Sequence, residues 1–131
     1  MIVKSFNLKD INKTSNIFLF YGENEGLKDE IIENFFIKKI DGEHIKYEEK
    51  QILDDKETFF ETCLNDSLFE NEKIIQVLRV TSKSYEIIED LLNRNVTNKK
   101  IIFNAGILEK KSKIRQLFEK EKSLVCVPFY Q

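Results

Sequence analysis

The stretch that decides the fold reads IFLFYGENEGLKD, from Ile17 to Asp29. Its first part, Ile17 to Tyr21, is continuously apolar or aromatic, as expected of a strand that is covered on both faces of a parallel sheet. A polar loop with two glycines follows, and apolar residues then recur at helical spacing from Leu27 to Ile40. A buried strand, a short loop and an amphipathic helix in this order predict the first unit of an α/β fold.

The rest of the chain repeats this alternation of strand and helix. Further strands are predicted at four runs, which are 44–47, 73–80, 101–103 and 124–127. Because helical crossovers of this length join parallel neighbours, the pattern predicts a three-layer α/β sandwich with a five-stranded, mainly parallel sheet. The opening segment, Met1 to Leu8, either adds an extra strand or lies along the edge of the sheet.

The helices between these strands have recognisable start signals. Asp54, followed three residues later by Glu57, resembles a capping box that opens a helix carrying Phe59 and Cys63. Three serines are the other candidate caps: Ser82 or Ser84 for the next helix, and Ser112 for the last one.

Length and composition exclude several classes of protein. A chain of 131 residues is one domain, and its net charge of −2 argues against strong binding to nucleic acid through a basic surface. No apolar run has the length of a membrane span. Two cysteines and one histidine cannot supply a four-ligand zinc site alone, so we predict no metal and no cofactor. Cys63 and Cys126 lie in apolar runs, which favours buried free thiols and a reducing, cytoplasmic compartment.

The loop after the first strand resembles a phosphate-binding loop that has lost its function. In that motif Gly, four residues, Gly, Lys and then Ser or Thr enclose the phosphates of a nucleotide. Gly22 and Lys28 have the required separation, but Leu27 replaces the second Gly and Asp29 replaces the hydroxyl residue. The Leu27 side chain obstructs close approach of the backbone, and the added carboxylates repel a triphosphate. We expect no nucleotide there, and the alternative is residual ATP binding.

Other catalytic groupings are weak, and no catalytic residue is predicted. His44 is the one histidine, and no Ser or Cys partner for it is evident from the sequence. The competing functional hypothesis is a small independent nucleotide-binding α/β enzyme, a weak P-loop ATPase that would use Lys28.

An apolar pair interrupts a polar and acidic segment between the second helix and the third strand. The segment reads DSLFENE, and Ser67, Leu68 and Phe69 lie at its centre. In one interpretation Leu68 and Phe69 fold back under the domain. In the other they form a wedge that enters a pocket on another protein, because buried apolar anchors dominate many interfaces.

Four segments together resemble the N-terminal domain of the delta subunit of bacterial DNA polymerase III. They are Tyr21–Leu27, Ser67–Phe69, Ile107–Arg115 and Cys126–Tyr130. Their order and spacing extend over nearly the whole chain, from about Ile17. The resemblance implies an AAA+/P-loop-NTPase-like core with strand order 5-1-4-3-2, which binds no ATP and has no catalytic activity of its own.

The same resemblance implies partners and roles. Delta belongs to the clamp loader of the DNA-directed DNA polymerase holoenzyme, and its Ser-Leu-Phe segment contacts the sliding clamp (beta subunit). Carried over by position, that contact is Ser67, Leu68 and Phe69. Residues 1–131 would be the first domain, with the helical lid and collar domains absent. The other implied partners are the gamma/tau and delta prime subunits and primed DNA.

A basic stretch near the last helix has two interpretations. Lys110, Lys111, Lys113 and Arg115 are interleaved with glutamates. They form either a solvated helix face or a contact with DNA phosphates or a neighbouring loader subunit.

Overall fold

Five strands form one sheet in the computed structural model, which describes residues 1–4, 15–40, 42–65, 72–94 and 96–130. The strands are β1 (Ile17–Tyr21), β2 (His44–Glu48), β3 (Lys73–Val80), β4 (Lys99–Ala105) and β5 (Leu124–Pro128). Every neighbouring pair is parallel, and the order across the sheet is β2-β3-β4-β1-β5. This is the order 5-1-4-3-2 read from the other edge, so both the parallel sheet and its strand order are confirmed.

Helices connect the strands. They are α1 (Glu25–Ile32), α2 (Glu49–Asp54), α3 (Lys56–Leu64), α4 (Tyr85–Leu92) and α5 (Lys113–Lys120). A π-helical turn, Glu33–Ile37, extends α1, and a 3-10 turn, Ser82–Ser84, precedes α4.

Side chains alternate between the two faces of the sheet and produce two separate cores. On one face Phe18 and Phe20 pack with the α1 segment, and the ring centroids of Phe18 and Phe36 are 5.1 Å apart. On the other face Leu19 belongs to a larger core with residues of the other four helices. The predicted three-layer α/β sandwich is therefore observed.

One predicted helix start is wrong, and a second is right in position only. Asp54 is the last residue of α2, a short helix that the sequence pattern did not indicate, and Asp55 caps α3 by accepting a hydrogen bond from the Thr58 N–H at 3.2 Å. Ser84 occupies the N-cap position of α4, as one of the two alternatives predicted, but its hydroxyl donates to Glu49 and makes no capping bond. Thr81 caps the 3-10 turn before α4 by accepting the Lys83 N–H.

The start of the last helix is confirmed. The Ser112 hydroxyl accepts the Arg115 N–H, as a residue that caps α5 should.

The first residues lie along one edge of the sheet. Ile2 forms an isolated parallel bridge with Cys126, and the Val3 N–H donates to the Cys126 carbonyl at 2.9 Å. Of the two alternatives for the opening segment, the edge position holds for residues 1–4, and residues 5–14 lie outside the described part.

Both cysteines are free and buried, as predicted. Burial raises the pKa of each thiol to about 12, so both are protonated at neutral pH. None of the described helices combines the length and the apolar character that crossing a bilayer requires.

Candidate functional site

Gly22 allows two chain segments to meet at the end of β1. Its φ is +117°, and a Cβ at this position would lie 2.1 Å from the Phe129 carbonyl oxygen. The Phe129 N–H donates to the Tyr21 carbonyl at 2.7 Å, and the Gly22 N–H donates to Gly106 at 2.9 Å. The close approach of the segment after β5 thus requires glycine at position 22, and a bound phosphate is not needed to explain it.

The next residues start helix α1 in an ordinary way. The Asn24 side chain accepts the Leu27 N–H at 3.2 Å, which satisfies one of the free donors of the first turn. Leu27, which stands where the phosphate-loop motif has Gly, packs partly buried against the core on the α1 face. Its replacement of Gly therefore contributes to the packing of the domain.

Lys28 has no exposed surface, because its side chain turns back into the protein. The ammonium Nζ donates to Glu25 Oε1 at 2.7 Å and to the Ala105 carbonyl, at the end of β4, at 2.6 Å. The Lys28 ammonium is thus bound to two acceptors, one of them charged. In a phosphate-binding loop the same group would bind a nucleotide phosphate.

Acidic side chains surround the same loop. Glu23 and Asp29 are exposed, and Asp29 is the fifth of the eight residues of α1, past the first turn, in which Glu25 is the acidic residue. The loop therefore presents carboxylates where a phosphate needs hydrogen-bond donors. Its chemistry suits a closed structural turn better than an anion site.

The predicted wedge, Ser67, Leu68 and Phe69, lies outside the described residues, as does all of segment 66–71. The structure describes the residues on either side. Asn65 ends α3, with its N–H donating to the Glu61 carbonyl at 2.9 Å. At the other end, Glu72 lies so close to Gly42 that a Cβ there would be 1.6 Å from the Glu72 carbonyl oxygen. Glu72, directly before β3, lies at the amino ends of the parallel strands, whereas the loop of Lys28 follows the carboxyl end of β1.

The four basic residues have different surroundings. Arg115 is packed: its guanidinium donates to the Leu108 carbonyl at 2.8 Å, pairs with Glu119 at 3.1 Å and covers the Tyr21 ring at 4.8 Å.

The three lysines are more open. Lys111 forms an exposed pair with Glu109 at 3.6 Å, Lys113 lies 6.0 Å from the centre of the Tyr85 ring, and Lys110 is exposed. Only these three are accessible enough for the predicted contact with DNA or another subunit.

Glu49 is a polar residue that sequence reasoning missed. It is 7% exposed, and its carboxylate accepts from the Thr81 N–H at 2.7 Å, the Thr81 hydroxyl at 2.8 Å and the Ser84 hydroxyl at 2.7 Å. These bonds join the start of α2 to the end of β3. All are long-range, so no local pattern could have revealed them.

No grouping in the described part suggests a catalytic or metal centre. His44 lies on the edge strand β2, where its Nε2 is 3.1 Å from Gln76 Oε1. Within the ranges that the structure describes, no three His, Cys, Asp or Glu side chains are placed to hold a metal ion.

No protein-family model matches the chain, and no curated protein matches it.

Proposed function

We propose that the chain is a non-catalytic, AAA+-like domain of a clamp-loader delta subunit. It binds the sliding clamp through Leu68 and Phe69 and helps to open that ring for loading onto primed DNA. The observation that carries the proposal is the closed state of the loop after β1, in which Glu25 and the Ala105 carbonyl hold the Lys28 ammonium.

The Lys28 contacts argue against the competing nucleotide-binding enzyme. To reach a phosphate, the ammonium would have to leave a carboxylate and a carbonyl, and the exposed carboxylates of Glu23 and Asp29 would repel the incoming phosphate. A delta-type domain needs no such movement, since it uses the P-loop fold without nucleotide. The strand order, with β1 between β4 and β5, also agrees with the order that the resemblance implies.

The segment that carries the wedge is attached to a firm scaffold. Phe59 and Cys63 anchor α3 in the core at 1% and 0% exposure. After the segment, the Lys73 N–H donates to the Asn98 carbonyl at 3.1 Å and the Ile74 N–H donates to Glu43 at 2.8 Å. Fixed attachment points reduce the entropy that is lost when a short segment binds a partner.

Two apolar anchors supply enough free energy for a modest interface. Full burial of a Leu or Phe side chain contributes about 1.5–3 kcal/mol. Binding alone does not open a ring: delta must contact the open or strained form better than the closed one, and it then shifts the population without covalent chemistry.

The other loader subunits would supply what this domain lacks. ATP would bind to the gamma/tau subunits, and assembly with delta prime would use the collar domain. The assembled complex would bind DNA in the cytoplasm. Lys110, Lys111 and Lys113 are the accessible cations for a contact with DNA or a neighbouring subunit.

The direct test measures binding of the chain to purified sliding clamp. The double variant Leu68→Ala/Phe69→Ala should lose affinity by a factor on the order of 100 or more, because both anchors are removed. Ile107→Ala is the matched control, since Ile107 is 73% exposed and follows the carboxyl end of β4, whereas the wedge precedes β3. Full affinity in the double variant would reject the proposal.

A further inference from the structure

A cleft of about 510 Å³ opens between α1 and the carboxyl ends of β2, β3 and β4. This volume lies within the range of small-molecule sites, and the place is the one where open α/β sheets bind ligands. The lining includes Glu25, Asp29, Lys46, Gln76, Arg79 and Asn104.

Two carboxamides form the polar part of this cleft. Gln76 and Asn104 continue the inward-facing positions of Ile74 and Ile102 on neighbouring strands, but they replace apolar residues with amides. They are 3% and 5% exposed. Asn104 makes no side-chain hydrogen bond among the described residues, and every fully buried side-chain N or O atom there has a partner, so the Asn104 amide reaches the surface of the cleft. Its amide is therefore available to a molecule in the cleft.

The charges around the cleft are of two kinds. Glu25 is already paired with Lys28 at 2.7 Å, and Arg79 with Glu48 at 2.6 Å.

Asp29, from α1, and Lys46, from β2, have no ion pair among the described residues. The cleft thus offers one free carboxylate, one free ammonium and the Asn104 amide. The lining contains no aromatic side chain, so a stacked nucleobase has no platform.

We propose that this cleft binds a small zwitterion of the amino-acid type. Its ammonium pairs with Asp29, its carboxylate pairs with Lys46, and a polar group between them bonds to Asn104. The site is independent of the clamp-binding segment, which precedes β3, because the cleft adjoins the carboxyl ends of the strands.

The side-chain NH₂ resonances of Asn104 and Gln76 allow a direct test by nitrogen-15 NMR. L-glutamine, L-asparagine, L-glutamate and L-lysine are titrated separately to millimolar concentration. At least one should shift the Asn104 signal saturably. Its N-acetyl and α-amide derivatives should bind about tenfold or more weakly, because each loses one charge-assisted hydrogen bond.

Variants test whether the Asn104 amide binds a ligand or only water. Asp29→Asn, at an exposed position, should weaken binding by about tenfold, read from the Asn104 signal. Asn104→Leu should abolish binding, read from the Gln76 signal, while the exposed Gln116→Leu should retain it.

Three results would overturn the proposal. They are no saturable shift with any of the four compounds, binding that persists in Asn104→Leu and Asp29→Asn, and blocked derivatives that bind as tightly as the parent. The first result would mean that the amide is satisfied by water only.

Discussion

The ammonium of Lys28 lies 2.7 Å from the carboxylate of Glu25, one turn earlier on the same helix. The Lys28 side chain is completely buried, whereas that of Glu25 is 62% exposed. A buried charge requires a partner, and a helix N-terminus favours an anion. Glu25 meets both requirements, so the loop carries its own anion at the place where a phosphate-binding loop would hold a phosphate.

Removing this carboxylate should destabilise the fold. Glu25→Gln leaves the buried Lys28 ammonium with the Ala105 carbonyl and a neutral amide, and we expect a loss of about 1–3 kcal/mol in the free energy of unfolding. Urea denaturation measures it, with Lys110→Met as a control at an exposed lysine. Unchanged stability in Glu25→Gln would mean that the pair has no structural role.

The two thiols predict how stability depends on pH. Burial raises the pKa of Cys63 and Cys126 to about 12 from an ordinary value of 9.0. Above about pH 9 the unfolded chain releases thiol protons that the folded chain keeps. The contribution of the two thiols to the free energy of unfolding is therefore complete below that pH and is lost as the pH rises toward 12.

Urea midpoints between pH 8 and pH 11 test this dependence (about 1.4 kcal/mol per pH unit for each thiol at most). A thiol reagent at pH 8 should label neither cysteine in the folded protein and both in denaturant. Rapid labelling of the folded protein would contradict the buried placement.

Gly42 lies against Glu72, the first described residue after segment 66–71. A Cβ there would lie 1.6 Å from the Glu72 carbonyl oxygen, so Gly42→Ala must displace backbone and should cost about 1–3 kcal/mol. Gly106→Ala is the matched control, because a Cβ at Gly106 meets nothing within 4 Å and stability should change by about 0.5 kcal/mol at most. Equal unfolding temperatures for the two variants would contradict this placement.

Variants at Arg115 and Lys111 should differ in stability, because Arg115 is packed in the structure and Lys111 is exposed. Arg115→Gln removes the contacts to Leu108, Glu119 and Tyr21, and we expect a loss of about 1–3 kcal/mol in stability.

Reversing Lys111, whose side chain is 87% exposed, should leave stability within about 0.5 kcal/mol of the parent. If Lys111→Glu/Lys113→Glu also lowers DNA-dependent clamp loading by a complete loader, the lysines contact DNA or a neighbouring subunit. Unchanged loading would make them a solvated helix face.

The buried parts of the fold could be predicted because their signals are local. Continuous apolar runs such as Ile17–Tyr21 indicate strands covered on both faces, and the Ser112 cap is visible in the sequence. Helix α2 was missed because six residues are too few to show a helical period. Its start has a reciprocal cap, Glu48 with Gln51, which the sequence contained but which sequence reasoning overlooked.

The chemistry of the loop after β1 could be predicted only in part. Leu27 and Asp29 indicated from the sequence that the nucleotide site is lost, whereas the burial of Lys28 depends on Ala105, which is 77 residues away. The amides Gln76 and Asn104 line one cleft only because β3 and β4 are neighbours, with Gln76 opposite Ile102, two residues before Asn104.

The most direct test of the account is the dissociation constant of the chain for the sliding clamp, measured with and without magnesium–ATP. If the chain binds the clamp through Leu68 and Phe69 without nucleotide, the parent chain should have the same dissociation constant in both conditions. Leu68→Ala/Phe69→Ala should lose binding in both. Binding that requires ATP, or that the double variant retains, would contradict it.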